Sequence, residues 1–119
     1  MKKAAFIGVG NMGGALARAA CRAIGPDQVV LFNRTPEKAQ ALAAELGCSV
    51  VDSASDAVWA AECVFLGVKP DGMRPLLEEL APQLRDRHRV GEDKAVVSMA
   101  AGLAIKDMRP HLAGAGYYV

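Results

Sequence analysis

The glycines Gly8, Gly10 and Gly13 are spaced as G-x-G-x-x-G within Gly8-Val9-Gly10-Asn11-Met12-Gly13, a stretch without acid, base or nucleophile. The chemistry open to such a stretch is binding through its backbone. The first glycine of such a pattern permits a tight turn, and the second lets backbone N–H groups approach a pyrophosphate with no side chain between. The third lets a helix pack close to a strand. An apolar run, Ala4-Ala5-Phe6-Ile7, precedes the turn and an alanine-rich segment follows it. That strand–turn–helix setting makes a common glycine pattern a dinucleotide-binding signature. The N–H groups and positive end of the helix then form an anion site.

A second group, Asn33-Arg34-Thr35, stands at the end of the next apolar run. In NAD-binding folds of this kind an Asp or Glu about 20 residues past the fingerprint takes the ribose hydroxyls. No carboxylate is present there to repel a 2′-phosphate. Arg34 offers a forked cation that can pair with that phosphate and stack on adenine. The Asn33 amide and Thr35 hydroxyl can add neutral hydrogen bonds, with Lys38 one helical turn away. NADP is therefore expected over NAD, against the plainer reading of Thr35 as a helix cap and Arg34 as a solvated charge.

Strand-like and helix-like segments alternate, which predicts a doubly wound, Rossmann-type α/β domain: a parallel sheet between two helical layers. Strands are expected at 4–9, 29–32, 48–51, 64–68 and 95–99. The first helix, about 11–23, presents Met12, Leu16, Ala19, Ala20 and Ala23 at helical spacing and stops at Gly25-Pro26. The second starts at Thr35 and Pro36, turns Ala39, Leu42, Ala43 and Leu46 inward, and ends at Gly47. Ser53-Ala54-Ser55-Asp56 reads as a capping box before a short helix carrying Ala57, Val58 and Ala61. Pro70 opens a helix with Met73, Leu76, Leu77, Leu80 and Leu84 on one face. A charged loop is expected at 85–94 and a last helix at about 105–112. Tyr117-Tyr118-Val119 reads either as the first residues of a sixth strand or as a frayed apolar tail.

Composition limits the alternatives. The 119 residues are 52% hydrophobic and 23% charged with a formal net charge of +1, so a single soluble domain is expected, with no nucleic-acid or membrane partner. No apolar run reaches the roughly 20 residues of a membrane span. Cys21, Cys48 and Cys63 lack metal-ligand spacing and read as buried thiols of a reducing cytoplasm. His88 sits in a solvated charge cluster and His111 near a helix C-terminus. Neither is expected to catalyse, and no metal site is expected.

Two more strand ends narrow the field: Val68-Lys69-Pro70 and Ser98-Met99-Ala100-Ala101-Gly102. Ala100, Ala101 and Gly102 are small enough for backbone to lie against a nicotinamide and its ribose. Pro70 holds Lys69 extended, so that the Val68 and Lys69 backbone faces the ribose. With the glycine turn, these segments make essentially the whole chain resemble the NADP-binding domain of pyrroline-5-carboxylate reductase. The turn and Asn33-Arg34-Thr35 alone fit 3-hydroxyisobutyrate dehydrogenases equally well.

The resemblance implies NADPH-dependent reduction of 1-pyrroline-5-carboxylate to L-proline, with this chain supplying the cofactor half. It implies cofactor contacts at Gly8, Val9, Gly10, Asn11, Met12, Gly13, Asn33, Arg34, Thr35, Val68, Lys69, Pro70, Ala100, Ala101 and Gly102. In family members a sixth strand leads through Met-Pro-Asn-Thr-Pro to a helical domain that forms the dimer and binds the substrate carboxylate. That segment and domain are absent from the sequence, so no catalytic residue is expected in this chain, and the chain alone is expected to be inactive. Ala54 replaces an asparagine that some members place near the adenosine. The alternatives are a 3-hydroxyisobutyrate dehydrogenase-like oxidoreductase and a nucleotide-binding module without turnover.

Overall fold

Alternation along the first strands sends their side chains to two opposite faces, and each face buries its own set. A computed structural model describes residues 2–68, 70–89, 95–98 and 117–118. Its elements are β1 (Lys2–Ile7), α1 (Asn11–Ile24), β2 (Val29–Phe32), α2 (Pro36–Leu46), β3 (Ser49–Val50), α3 (Ala54–Ala60), β4 (Ala61–Leu66), α4 (Pro70–Arg89), β5 (Ala95–Ser98) and β6 (Tyr117–Tyr118). The strands form one sheet in the order β3-β2-β1-β4-β5-β6, and every pairing is parallel. This is the doubly wound order that places ligands at the carboxyl edge, where the winding reverses between β1 and β4. The expected sixth strand is present, with Tyr117 and Tyr118 beside Ala95 and Val96.

Ala5, Ile7, Val30, Val64, Leu66 and Val96 point to one face, where α3 and α4 cover them with Ala57, Val58, Met73, Leu77 and Leu80. Ala4, Phe6, Val29 and Leu31 point to the other, against Ala17 and Cys21 of α1 and Ala39, Leu42 and Ala43 of α2. On that second face Phe6 and Phe65, opposite each other on β1 and β4, stack with ring centroids 4.7 Å apart. Such a cross-strand aromatic pair adds to the burial of either ring alone.

Several boundaries differ from expectation. β1 and β4 begin at Lys2 and Ala61, which pair with each other, so the ladder recruits residues that no apolar run marks. Ala61 is therefore the first residue of β4 rather than part of α3. β1 and β4 end at Ile7 and Leu66, short of the expected Val9 and Val68, because the chain turns at Gly8 and Gly67. β3 is reduced to Ser49 and Val50. The helix α4 continues to Arg89, through most of the basic stretch expected as loop, because arginines are good helix formers and favourable in a last turn. The last expected helix, 105–112, lies outside the described residues.

The inward face of α1 is the clearest correction. Gly13, Gly14, Ala17 and Cys21 face the sheet, while Leu16 is 40% exposed and Ala19 and Ala23 are exposed. Small residues line that face because α1 lies close on the glycine turn, where a leucine would not fit. The caps follow the sequence better. Gly47 adopts the left-handed conformation (φ 79°) and donates to the Ala43 carbonyl at 2.7 Å, and Ser53 Oγ accepts from the Asp56 N–H at 3.0 Å. Thr35 occupies the N-cap position of α2 without a side-chain capping bond.

Two predictions come from the core. Leu77 is fully buried under the sheet, so Leu77→Ala is expected to cost about 2–5 kcal/mol in urea unfolding. The Cys48 thiol is pushed from 9.0 up to about 11, chiefly by burial and then by the neighbouring Cys21 thiol. The folded chain thus holds this proton more tightly than the unfolded one, and the associated stability, full below about pH 9, is lost as pH rises toward 11. Unfolding midpoints measured across that range should fall more steeply for the native chain than for Cys48→Ala.

Candidate dinucleotide-binding site

Three backbone segments meet at the carboxyl edge of the sheet. The Gly8 N–H donates to the Phe32 carbonyl at 2.8 Å, and the Gly67 N–H to the Ile7 carbonyl at 2.7 Å, extending the ladders past the strands. Gly8 has φ 94°, and a Cβ there would lie 2.8 Å from the Gly67 carbonyl carbon and oxygen. A Cβ on Gly13 would lie 2.1 Å from the Gly8 carbonyl oxygen. These two glycines are demanded by the fold itself, the first by conformation and contact and the second by contact alone.

Gly10 is different. Its φ of −69° and ψ of −156° suit any residue, and a Cβ there would meet nothing within 4 Å among the described residues. Nothing in the described part of the fold needs this glycine. Its missing side chain leaves open space at the N-terminus of α1, where Gly10 is the N-cap, no side chain caps the helix and no acidic residue sits in the first turn. The leading N–H groups of a helix have no intrahelical partner, and here their partial positive charge is unopposed. That is a cradle for an anion such as a pyrophosphate.

Asn33 ties this turn to the end of β2. Its Oδ1 accepts from the Val9 N–H at 3.1 Å, and its Nδ2 donates to the Thr35 carbonyl at 3.1 Å. The side chain expected to face a ligand therefore braces the glycine turn against the end of β2. Arg34 and Thr35 are exposed beyond it, and Arg34 makes no ion pair among the described residues.

A cavity of about 310 Å³ opens beside Arg34. Ile7, Gly8, Phe32, Asn33 and Arg34 form its sheet side, and Val68, Gly72, Leu76 and Glu79 face them. On the far side of the glycine turn a more open groove of about 510 Å³ runs between α1 and α2, with Gly10, Gly14 and Lys38 on its walls and the Arg18–Glu45 ion pair at its edge. That pair is exposed and adds little to stability.

The structure thus brings Gly8, Val9, Gly10, Gly13, Asn33, Arg34, Thr35 and Val68 to one edge. Asn11 and Met12 open α1 and Pro70 opens α4. Lys69, Ala100, Ala101 and Gly102 lie outside the described residues. Ala54, where some members of the resembling family place an asparagine, is buried at the start of α3. Gly67, Gly72, Leu76 and Glu79 were not expected at the site. Gly72, Leu76 and Glu79 recur at i, i+4 and i+7, a stripe beside the core-facing one, and that spacing was the available signal. Among the described residues no group of three or more His, Cys, Asp or Glu could hold a metal ion. No helix there is long and apolar enough to cross a membrane.

A glycine turn at the switch point of a parallel sheet, next to an exposed arginine at the end of β2, defines a dinucleotide-binding domain of the Rossmann type. The chain belongs to the family described as NADP oxidoreductase, coenzyme F420-dependent, whose model matches residues 3–102. It is 33% identical to the pyrroline-5-carboxylate reductase of Escherichia coli (strain K12) over 109 residues, covering 90% of this chain and 38% of that one. Among solved structures, a pyrroline-5-carboxylate reductase from Coxiella burnetii matches with a TM-score of 0.81 at 23% identity, over 93% of this chain and 40% of that one. An imine reductase from Myxococcus stipitatus in complex with NADP+ matches with a TM-score of 0.77 at 27% identity, over 98% of this chain and 39% of that one. The expected fold class and the expected cofactor, NADP, agree with that family and with these structures. The chain spans about 38% of the length of its E. coli relative.

The two kinds of glycine should separate on substitution. Gly13→Ala forces a Cβ into the Gly8 carbonyl and is expected to destabilise the chain by at least about 1–3 kcal/mol. Gly10→Ala meets open space and should stay within about 0.5 kcal/mol of the native chain in the same denaturation experiment.

Proposed function

We propose that the chain binds NADPH and forms the cofactor half of a reductase acting on a carbon–nitrogen double bond, with 1-pyrroline-5-carboxylate as substrate and L-proline as product. Gly10 carries the reading: a glycine that no described residue requires stands at an uncapped helix N-terminus. The unpaired Arg34 at the end of β2 supports the 2′-phosphate form, since its fork suits a phosphate and no carboxylate stands beside it in Asn33-Arg34-Thr35. The substrate rests on the E. coli relative, which is a pyrroline-5-carboxylate reductase.

In this reading NADPH supplies the hydride. The N–H groups opening α1 hold the pyrophosphate, Arg34 and Thr35 hold the 2′-phosphate, and Asn33 fixes the loop that presents them. By the resemblance, the backbone of Val68, Lys69 and Pro70 is assigned to a ribose of the cofactor, and Ala100, Ala101 and Gly102 to the nicotinamide and its ribose. Such positioning can supply much of the rate enhancement, since alignment of two reactants is worth up to about 7–11 kcal/mol. Imine reduction draws its substrate contacts and its dimer from a helical domain of the kind the resembling family carries. A broader imine substrate range is a second reading, favoured by the match of 98% of this chain to an imine reductase.

Titration calorimetry with NADPH and NADH tests this. NADPH is expected to bind at least about tenfold more tightly, and Arg34→Ala should remove that margin by weakening NADPH alone. Binding of neither nucleotide would end the cofactor reading, and tighter NADH would end the role given to Arg34. Proline formation assayed with the chain alone should be absent; turnover would overturn the assignment of catalysis to a second domain.

A further inference from the structure

We infer that Glu79 reads the exocyclic amine of the cofactor's adenine, making the cavity beside Arg34 selective for an aminopurine. This rests on the NADP reading above. A 2′-phosphate paired with Arg34 fixes the ribose next to it, and the base must then enter the cavity that Arg34 lines.

That cavity is shaped for a flat apolar ring. Ile7 and Phe32 form one wall, Val68 and Leu76 another, and about 310 Å³ accommodates a nucleoside but not a whole dinucleotide. Gly72 keeps the α4 wall low: among the described residues a Cβ there would touch only the Val68 Cβ, at 3.9 Å. The wall thus has room that the fold leaves unfilled.

Glu79 ends the same stripe, two turns beyond Gly72, and is the acidic residue among the described ones lining the cavity. Arg34 lines it too, yet the two form no ion pair, and Glu79 has no partner among the described residues. Opposite charges thus face one cavity without neutralising each other. The arginine matches the phosphate; the carboxylate, an acceptor only, matches an N–H donor on the base. Adenine presents such a donor at its 6-amino group, whereas hypoxanthine presents a carbonyl oxygen there, as guanine does. A carboxylate facing that oxygen loses a bond and gains a repulsion.

Affinities of NADP+ and its 6-deamino (hypoxanthine) analogue, measured by calorimetry on the native chain, Glu79→Ala and Glu79→Gln, provide the test. The native chain should prefer the adenine form by about tenfold. Glu79→Ala should bring the ratio near one by weakening the adenine form alone. Glu79→Gln, which can offer either an oxygen or an N–H, should tighten the analogue and also shrink the ratio. Circular dichroism checks that the variants fold, as an exposed helical position allows. Equal affinities in the native chain, or an equal loss of both ligands in Glu79→Ala, would overturn the inference and leave the NADP reading standing. Failure of the native chain to bind either ligand would instead overturn the NADP reading.

Discussion

The close approach of backbone at Gly8, Gly13 and Gly67 sets the geometry on which the rest of the carboxyl edge depends. Gly13 brings the start of α1 onto the Gly8 carbonyl, and Gly8 in turn lies against the Gly67 carbonyl. No side chain intervenes at either contact. The strand ends of β1 and β4 and the first turn of α1 are thereby held at backbone distance. Only at that distance do the leading N–H groups of the helix reach the switch point of the sheet, where a dinucleotide crosses.

This constraint shapes the two helical layers unequally. On the α1 side the price of proximity is a contact face of Gly13, Gly14, Ala17 and Cys21, which buries little area per residue. On the other side α4 brings the larger Met73, Leu76, Leu77 and Leu80 onto the sheet. Burial of a large aliphatic side chain contributes about 1.5–3 kcal/mol, so the α4 layer carries more of the hydrophobic stabilisation. The α1 layer carries the binding geometry, and its larger residue, Leu16, is left facing solvent.

The same asymmetry explains what could be read from the sequence. Signals set by local chemistry were legible: the glycine turn, Gly47 in a left-handed cap, Ser53 bonded to the Asp56 N–H, and the alternation that yields a parallel sheet. The inward face of α1 was not, because hydrophobicity ranks Leu16 above Gly13 and says nothing about how close a helix must lie. Strand β4 starts at Ala61 through pairing with Lys2, a partner about sixty residues away that no local window contains. Type and spacing pointed to Gly8, Gly10, Gly13, Arg34 and Val68, and the structure gathers them at the carboxyl edge. The bonds of Asn33 were not legible, since nothing in Asn33-Arg34-Thr35 reveals that Val9 lies within reach of its amide. The place of Glu79 on the cavity wall was hidden because the leucine stripe of α4 dominates the pattern on which it rides.

The separation of structural from binding roles among the glycines sharpens how the motif works. Gly8 and Gly13 would be retained by any chain that folds this way, ligand or none, because backbone occupies the space their side chains would need. Gly10 answers to nothing among the described residues. Arg34 and Glu79 share that property there, as charges that line a cavity without pairing. An unpaired charge or an unneeded void contributes nothing to folding. In the proposed reading, their grouping within one edge answers to a ligand with an anionic centre above Gly10, a phosphate beside Arg34 and an apolar ring between them and Glu79.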